Sequence, residues 1–458
     1  MSAPLNHVLT EIEPSGIRKF FDIVAEMKDA ISLGVGEPDF DTPWHIREEG
    51  IHSLEKGRTF YTSNSGLLEL KTEIAAYLRR SFSVNYDPSS EVMVTVGGSE
   101  AIDLAMRAIL NPGDEVLIPQ PSYVSYVPCA LMAGGRAVPI ELEEKDSFRL
   151  SAEKLREKIT ERTKLLVLPF PNNPTGAIME EEDLRALLPL IEEHDLFVLT
   201  DEIYSELSYR GRSRSIIEFP GMRERTVYIN GFSKAYAMTG WRLGYACAPK
   251  RILSQMLKLH QFALMCAPTC SQYAAVEALR NGDEDVARMR QAYDARRRFL
   301  VANLRRIGMD CFEPYGAFYV FPSIRRFHMT SEDFANRLLR EEKVAIIPGN
   351  AFGACGNSDS PGPRTPPGRA HRRPGAVARC GHSSRGVTSK GHRRPGSVDD
   401  RSELRADMVR VGLNTARSGP TCSPRARARL VRLPPSPPNR TGRRPCTRDR
   451  AGGRERAR

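Results

Sequence analysis

The chain of 458 residues lacks any apolar run near the roughly 20 residues that a membrane-spanning helix needs. Its start, MSAPLNHVLTEIEPSG, lacks the basic flank and apolar block of a secretory signal peptide. Its nine cysteines include no CxxC pair, and their odd number argues against a closed disulfide framework. Cys266 and Cys270 lack a second Cys/His pair nearby that would complete a zinc site. We therefore expect a cytoplasmic protein with free thiols, no membrane partner and no metal.

Aromatic residues and isoleucine are absent after Phe352, where Arg, Pro, Gly and Ser dominate. Residues 354–458 contain 25 Lys and Arg against 7 Asp and Glu, a net charge of +18. The whole chain carries +11, so residues 1–353 are mildly acidic at −7. We expect 354–458 to be disordered, because such a composition cannot bury enough apolar surface to offset chain entropy. The abrupt change favours a frameshifted or mis-joined reading of GC-rich DNA over a basic tail that binds nucleic acid.

Residues 1–353 alternate between short β-rich runs and periodic helical stretches. This alternation predicts an α/β protein with a mostly parallel sheet that is covered by helices on both faces. The strand predictions are 91–96, 115–119, 137–142, 165–169, 196–200, 227–230 and 242–248, and the clearest helices are 99–110 and 181–194.

We divide the chain into four segments. Residues 1–35 form an N-terminal arm and part of a small domain, and residues 36–250 form the large domain. Residues 251–353 contain linking helices and the start of a smaller α+β domain, whose elements stop before it is complete. Residues 354–458 are the aberrant tail.

The segment NGFSKAYAMTGWRLGYA (230–246) places Lys234 in a loop of small residues, eight positions before Arg242. A lysine condenses with an aldehyde only as the neutral amine, so it needs a site that lowers its pKa. Arg242 can grip a phosphate with two hydrogen bonds. Taken singly, each residue is more often a surface ion-pair partner. Together with the residues that follow, they indicate a cofactor bound as a Schiff base.

Asp201 ends the hydrophobic run LFVLT, and ligand groups cluster at the carboxyl ends of strands in open α/β sheets. A carboxylate there can keep the nitrogen of a pyridine ring protonated, which makes the ring an electron sink. Tyr204 follows three residues later and can donate to the phenolate oxygen of such a ring. A helix N-cap would explain Asp201 alone, but it would not explain Tyr204, Lys234 and Arg242.

Three further segments carry polar or aromatic residues that suit a phosphate-bearing pyridine cofactor. TVGGSEA places Gly98, Ser99 and Glu100 at a helix N-terminus, which attracts phosphate, although Gly-Gly-Ser is also ordinary turn chemistry. The turn PFPNNPTG presents Asn173, whose amide can bond the same phenolate oxygen. Tyr123 is suited to stacking on a pyridine ring, although core aromatics are commoner.

These segments, in order, resemble the class I/II, fold-type-I aminotransferases, which depend on pyridoxal 5′-phosphate. The resemblance covers about residues 5–353. Its motifs are GEPDFDTP (36–43), YTSNSGLLELK (61–71), VTVGGSEA (94–101), NNPTGA (172–177), TDEIY (200–204), SKAYAMTGWRLGY (233–245) and PYGAFYVFP (314–322).

The resemblance implies a role for each candidate residue. Lys234 would hold the cofactor and shuttle the proton, Asp201 would pair with the pyridine nitrogen, and Asn173 and Tyr204 would hold the phenolate oxygen. Tyr123 would stack on the ring and Gly36 would lie against the substrate. The phosphate would be bound by Gly98, Ser99, Glu100, Ser233 and Arg242. Tyr61 would reach the phosphate in a partner subunit, which implies a homodimer with shared active sites.

The implied activity moves an amino group from an L-amino acid to a 2-oxo acid by a ping-pong mechanism. The family also places an arginine after the PG-x-x-F segment to clamp the substrate carboxylate. Here PGNAF (348–352) runs into the tail, and Arg410 in MVRVGLNTA resembles that site only faintly. The amino donor therefore stays open between aspartate, aromatic amino acids, alanine and N-acetyl-diaminopimelate.

Three other functions remain as alternatives. A C–S lyase that uses pyridoxal phosphate shares this scaffold and nearly all these motifs. A transcription regulator with an aminotransferase-like domain would need a DNA-binding domain, and only 35 residues precede Gly36. Nucleic-acid binding through the tail is the third alternative, and we do not expect a nucleic-acid partner.

Overall fold

The computed structural model describes residues 3, 5–14, 30–34 and 36–356. All of them belong to the first of two units into which the chain divides, Met1–Val409. The second unit, Arg410–Arg458, lies outside the described residues, as does nearly all of the predicted tail. The predicted disorder of that tail and the position of Arg410 therefore stay predictions.

Eleven α-helices and nine strands lie in the described residues. The helices are α1 (His7–Glu11), α2 (Trp44–Glu55), α3 (Leu68–Phe82), α4 (Gly98–Ile109), α5 (Tyr126–Met132), α6 (Ala152–Arg156), α7 (Glu181–Glu193), α8 (Lys250–Ala263), α9 (Thr269–Asn281), α10 (Asp283–Arg306) and α11 (Ser331–Glu342). The strands are β1 (Ile31–Ser32), β2 (Val92–Thr95), β3 (Glu115–Gln120), β4 (Arg136–Glu141), β5 (Thr163–Leu168), β6 (Phe197–Asp201), β7 (Thr226–Gly231), β8 (Gly244–Cys247) and β9 (Val344–Ala345). The 3₁₀ helices are Glu144–Asp146, Ser205–Leu207, Ile216–Glu218, Arg223–Arg225, Thr239–Trp241, Arg325–Phe327, Gly349–Phe352 and Ala354–Gly356.

Seven strands form one sheet in the order β2-β8-β7-β6-β5-β3-β4. Every neighbouring pair is parallel except β2–β8 and β7–β8, so only β8 runs against the rest. This confirms the predicted α/β class with a mostly parallel sheet. Because the other six strands share one direction, their carboxyl ends meet at one edge of the sheet.

Both faces of the central strands are buried, which explains why these strands are largely apolar rather than alternating, whereas the edge strand β4 is partly exposed. Val92 and Val94 pack into one core cluster with α2, α3, α7 and α9. Met93, between them, points into the other cluster with α4, α5 and α8. Successive strand residues face opposite sides of a sheet, so one strand contributes to both cores.

Local sequence signals explain where several helices begin. Helix α7 starts with a capping box, in which the side chains of Glu180 and Asp183 bond each other's backbone N–H groups. The side chain of Thr330 caps α11 by accepting from the N–H of Asp333. Helix α4 follows Gly97, whose φ of 80° lies in the region that favours glycine.

A smaller two-stranded sheet pairs β1 with β9 in parallel, so residues before the large sheet meet residues long after it. A third core cluster packs α11 against this sheet and against the last turns of α10. The boundaries at 35, 250 and 353 stay a prediction. None of the helices within the described residues is both long and apolar enough to span a membrane.

Candidate active site

A cavity of about 590 Å³ opens at the carboxyl edge of the large sheet. The loops that follow β2, β3, β5, β6 and β7 each contribute residues to its wall. Ten residues that the sequence singled out line this one cavity: Gly36, Gly98, Ser99, Tyr123, Asn173, Asp201, Tyr204, Ser233, Lys234 and Arg242.

Two singled-out residues do not line the cavity. The carboxylate of Glu100 accepts hydrogen bonds from the backbone N–H of Val96 and from His260, so it is turned away from the cavity. Only the backbone N–H of Glu100 is left to serve a phosphate. Tyr61 is 78% exposed on a loop outside the wall of this cavity. Its proposed role needs a second subunit.

Lys234 follows β7 in a turn of small residues, which leaves room for its side chain in the cavity. Its amine donates a hydrogen bond of 2.6 Å to the carbonyl oxygen of Gly36. Desolvation lowers the pKa of Lys234 to about 8, although Glu37 and Asp201 act to raise it. The charged form is disfavoured in a poorly hydrated site, so a useful fraction of neutral amine exists near neutral pH.

Asp201 is the last residue of β6 and is 7% exposed. Tyr126, at the start of α5, donates a hydrogen bond of 2.7 Å to its Oδ2, and the N–H of Ile203 donates to its Oδ1. Burial raises the pKa of Asp201, whereas these hydrogen bonds and the charge of Lys234 oppose that rise. The carboxylate is thus held in a fixed orientation on the cavity wall.

Tyr204 lies just after Asp201, and its hydroxyl is 2.6 Å from the hydroxyl of Tyr319. Burial raises the pKa of Tyr204 well above its ordinary value, so its hydroxyl stays protonated and able to donate. A β-carbon at Gly36 would clash with the Tyr319 hydroxyl. Glycine is therefore required there for Tyr319 to stand beside the Lys234 loop.

The opposite part of the cavity is arranged for an anion. The guanidinium of Arg242 lies over Gly97, where a β-carbon would be 2.6 Å from Nη2. Ser99, in the first turn of α4, has its hydroxyl 3.3 Å from that of Tyr123. The first N–H groups of a helix lack intrahelical partners and carry partial positive charge. Together with the cation of Arg242 they suit a phosphate.

Asn173 has a side-chain oxygen that is buried without a hydrogen-bond partner among the described residues. Turning the side-chain amide by 180° would put its Nδ2 donor in that place, so the amide has capacity for a ligand oxygen. The cavity thus combines an anion-binding end, a buried carboxylate, donors for an oxygen and a lysine amine. This donor set suits the phosphate, pyridine nitrogen, phenolate oxygen and aldehyde of pyridoxal 5′-phosphate.

Sequence reasoning missed several residues of the wall, chiefly Tyr126 and Tyr319. Tyr126 lies three residues after Tyr123, a spacing that puts both at one end of α5, and this was the available signal. Tyr319 lies in GAFYVFP, far along the chain from Tyr204, and nothing in the sequence indicated that these two side chains are in contact. Lys234 and Arg242 are the cations that line the cavity within the described part of the chain.

Known proteins resemble this chain over most of its length. A family model described as "Aminotransferase class I and II" matches residues 28–364. Aspartate aminotransferase of Pyrococcus abyssi (strain GE5 / Orsay) is 44% identical over 348 residues, which cover 75% of this chain and 90% of that protein. Aromatic-amino-acid aminotransferase 2 of Thermococcus litoralis is 41% identical over 355 residues, 77% of this chain and 91% of that protein.

Solved structures show the same likeness. The structure of aspartate aminotransferase from Thermus thermophilus with maleate superposes with a TM-score of 0.76 at 34% identity. The match covers 90% of this chain and all (100%) of that chain.

Proposed function

Because this chain belongs to the class I and II aminotransferases, which depend on pyridoxal 5′-phosphate, we propose that Lys234 carries the cofactor and moves the proton in amino-group transfer. The reaction class is that of the family: an amino group passes from an amino acid to a 2-oxo acid. The observation that supports the role of Lys234 most directly is its amine, which lines the cavity and has a pKa lowered to about 8.

Bound pyridoxal phosphate supplies an aldehyde that condenses with amines and a ring that withdraws electrons from the substrate's α-carbon. The neutral amine of Lys234 would take the proton from that carbon and return it at the cofactor carbon that bears the amino group. The carbonyl of Gly36 orients this amine by accepting its hydrogen bond.

Asp201 would keep the pyridine nitrogen protonated, and Tyr126 holds the carboxylate of Asp201 in place. Tyr204 and Asn173 would donate to the phenolate oxygen, and Tyr123 would stack on the ring. At the other end, Ser233 and Arg242 would bind the phosphate together with the first turn of α4, which would contribute Gly98, Ser99 and the backbone of Glu100. Gly36 leaves space for the substrate.

We also propose a homodimer, supported by an exposed apolar surface around Tyr61. Phe60 and Tyr61 are 81% and 78% exposed, and Phe262 is 87% exposed. Thr269 donates to the carbonyl of Phe60 and Asn64 donates to the carbonyl of Met265, so the loop of Phe60 and Tyr61 lies against the segment that follows α8, the helix that carries Phe262. Exposed patches of this kind mark protein–protein contacts. A second copy placed here would bring Tyr61 toward the partner's phosphate site.

The cytoplasm is the compartment that we propose. Five cysteines in the described residues have free thiols, as expected in a reducing environment: Cys129, Cys247, Cys266, Cys270 and Cys311.

The amino donor is to be found among aspartate, aromatic amino acids, alanine and N-acetyl-diaminopimelate. The two relatives are named for aspartate and for aromatic amino acids, respectively. A panel of these donors with 2-oxoglutarate, run on wild type and Lys234→Ala, tests the proposal. We expect donor-dependent glutamate formation that Lys234→Ala abolishes. Release of pyruvate and thiol from cystathionine without an oxo acid would instead indicate a C–S lyase.

A further inference from the structure

A buried hydrogen bond between Glu100 and His260 lies directly behind the proposed phosphate-binding turn. Oε1 of Glu100 is 2.6 Å from Nδ1 of His260, and Oε2 accepts from the N–H of Val96 at 2.5 Å. Because an ionised carboxylate can only accept, Nδ1 of His260 is the donor. One carboxylate in the first turn of α4 is thus tied both to α8 and to the end of β2.

Burial of His260 costs free energy. Its side chain is fully buried, and its Nε2 is buried without a hydrogen-bond partner among the described residues. An apolar side chain in this position would avoid the cost of an unsatisfied polar atom. Packing alone therefore does not explain a histidine here, whereas the hydrogen bond to Glu100 does.

The hydrogen bond from the N–H of Val96 to Glu100 fixes the backbone just before the proposed phosphate-binding turn. Val96 precedes Gly97, and the guanidinium of Arg242 lies against Gly97. The next residues, Gly98 and Ser99, begin α4 and line the cavity. A small rotation at Val96 would redirect the N–H groups of this turn, so the carboxylate controls where they point.

The charge of Glu100 makes its orientation important. An anionic side chain in the first turn of a helix interacts with the same partial positive charge that attracts a phosphate. A carboxylate that swung into the cavity would repel the phosphate. The hydrogen bond to His260 holds it on the far side of the turn.

We propose that His260 and Glu100 form a positioning pair that shapes the turn 96–99 for the cofactor phosphate. This inference rests on the proposed function, because it assumes that Gly98 and Ser99 bind that phosphate. His260 acts only through Glu100 and touches neither cofactor nor substrate.

The test compares two probes that differ only in the phosphate, pyridoxal 5′-phosphate and pyridoxal, on the full-length apoenzyme. His260→Phe keeps a ring but removes the donor, and we expect its dissociation constant for pyridoxal phosphate to rise about tenfold, the effect of losing a hydrogen bond to a charged group. The constant for pyridoxal should change less than about twofold. His260→Asn, whose Nδ2 can replace Nδ1, should restore affinity for pyridoxal phosphate.

Tyr77→Phe is the matched control, because it removes another buried hydrogen bond to a carboxylate, that of Glu206, away from the cavity wall. It should lower stability and leave both affinities unchanged. Should His260→Phe not fold, the smaller His260→Leu takes its place with the same expectation. A parallel loss of both affinities in the His260 variant, or no loss of either, would overturn the proposal. Failure of wild type to bind pyridoxal phosphate would instead contradict the proposed function itself.

Discussion

The hydroxyl of Tyr126 donates a 2.7 Å hydrogen bond to Oδ2 of Asp201 across 75 positions of the chain. Both side chains are buried, and the bond opposes the rise that burial causes in the pKa of Asp201. Tyr126 therefore favours the ionised carboxylate that the proposed mechanism needs beside the pyridine nitrogen.

Tyr126→Phe should retain the fold and the ring packing but lose this bond. We expect kcat to fall about 10- to 100-fold, because hydrogen bonds to charged groups contribute roughly 1.5–3 kcal/mol. Steady-state kinetics at saturating cofactor measure the effect. Tyr77→Phe is the matched control, since it removes another buried tyrosine hydroxyl that donates to a carboxylate, away from the cavity wall. Equal kcat in Tyr126→Phe and wild type would contradict this role.

Asp201→Ala should impair catalysis far more than folding. We expect a loss of about 3 kcal/mol or more in transition-state stabilisation, comparable to the removal of one preorganised electrostatic partner. The ratio of kcat/KM values measures this loss, and thermal unfolding of the apoenzyme serves as the control. Normal turnover with natural cofactor would mean that another group holds the pyridine nitrogen.

The lowered pKa of Lys234 should appear in the pH dependence of cofactor capture. Only the neutral amine attacks an aldehyde, so the rate at which apoenzyme binds pyridoxal phosphate covalently should rise through pH of about 8. It should level off above pH of about 9, whereas an ordinary lysine would continue to gain reactivity. Stopped-flow absorbance follows the reaction, and Lys234→Ala gives the background from other lysines. A rate still rising at pH of about 10 would disprove the shift.

Glu202, next to Asp201, should make stability depend on pH. Burial raises its pKa to about 8, against hydrogen bonds from Ser215 and Thr200. Between the ordinary value of 4.5 and about 8, the folded protein binds the proton that the unfolded chain releases. The free energy of unfolding therefore falls as pH rises through this range.

Glu202→Gln should remove that dependence. Between pH of about 5 and pH of about 8, wild type should lose on the order of 3 kcal/mol of unfolding free energy that the variant keeps. Urea unfolding of apoenzyme at the two pH values measures the difference. Glu224→Gln, at an exposed carboxylate, should leave the pH dependence of wild type intact. An unchanged slope in Glu202→Gln would show that Glu202 is ionised in the folded state.

The substrate carboxylate needs a cation, and within the described residues Lys234 and Arg242 are those on the cavity wall. Both have other proposed roles, so we expect a high KM for amino donors in the full-length chain. Deleting 354–458 should not lower it, whereas a family-like C-terminus with a carboxylate-binding arginine should. Arg410→Ala should have no effect. A low KM that Arg410→Ala raises strongly would show instead that the tail is genuine and supplies the clamp.

The sequence alone determined the class of fold and ten of the residues in the cavity wall. The run predicted at 196–200 is the strand Phe197–Asp201, and the run at 115–119 is Glu115–Gln120. Such strands are readable because burial on both faces makes them apolar throughout. Once the strands are parallel, residues just beyond their ends must meet at one edge, which brings together Asn173, Asp201 and Lys234.

Only the tertiary structure decided which side chains support those residues. The sequence placed Glu100 at the phosphate, but packing of α8 against α4 turns its carboxylate toward His260, 160 positions away. The contacts of Tyr126 with Asp201 and of Tyr319 with Tyr204 join positions 75 and 115 apart. A sequence motif predicts the local conformation of the chain. The direction of a buried polar side chain depends on which distant donor or acceptor the folded core brings within about 3 Å of it.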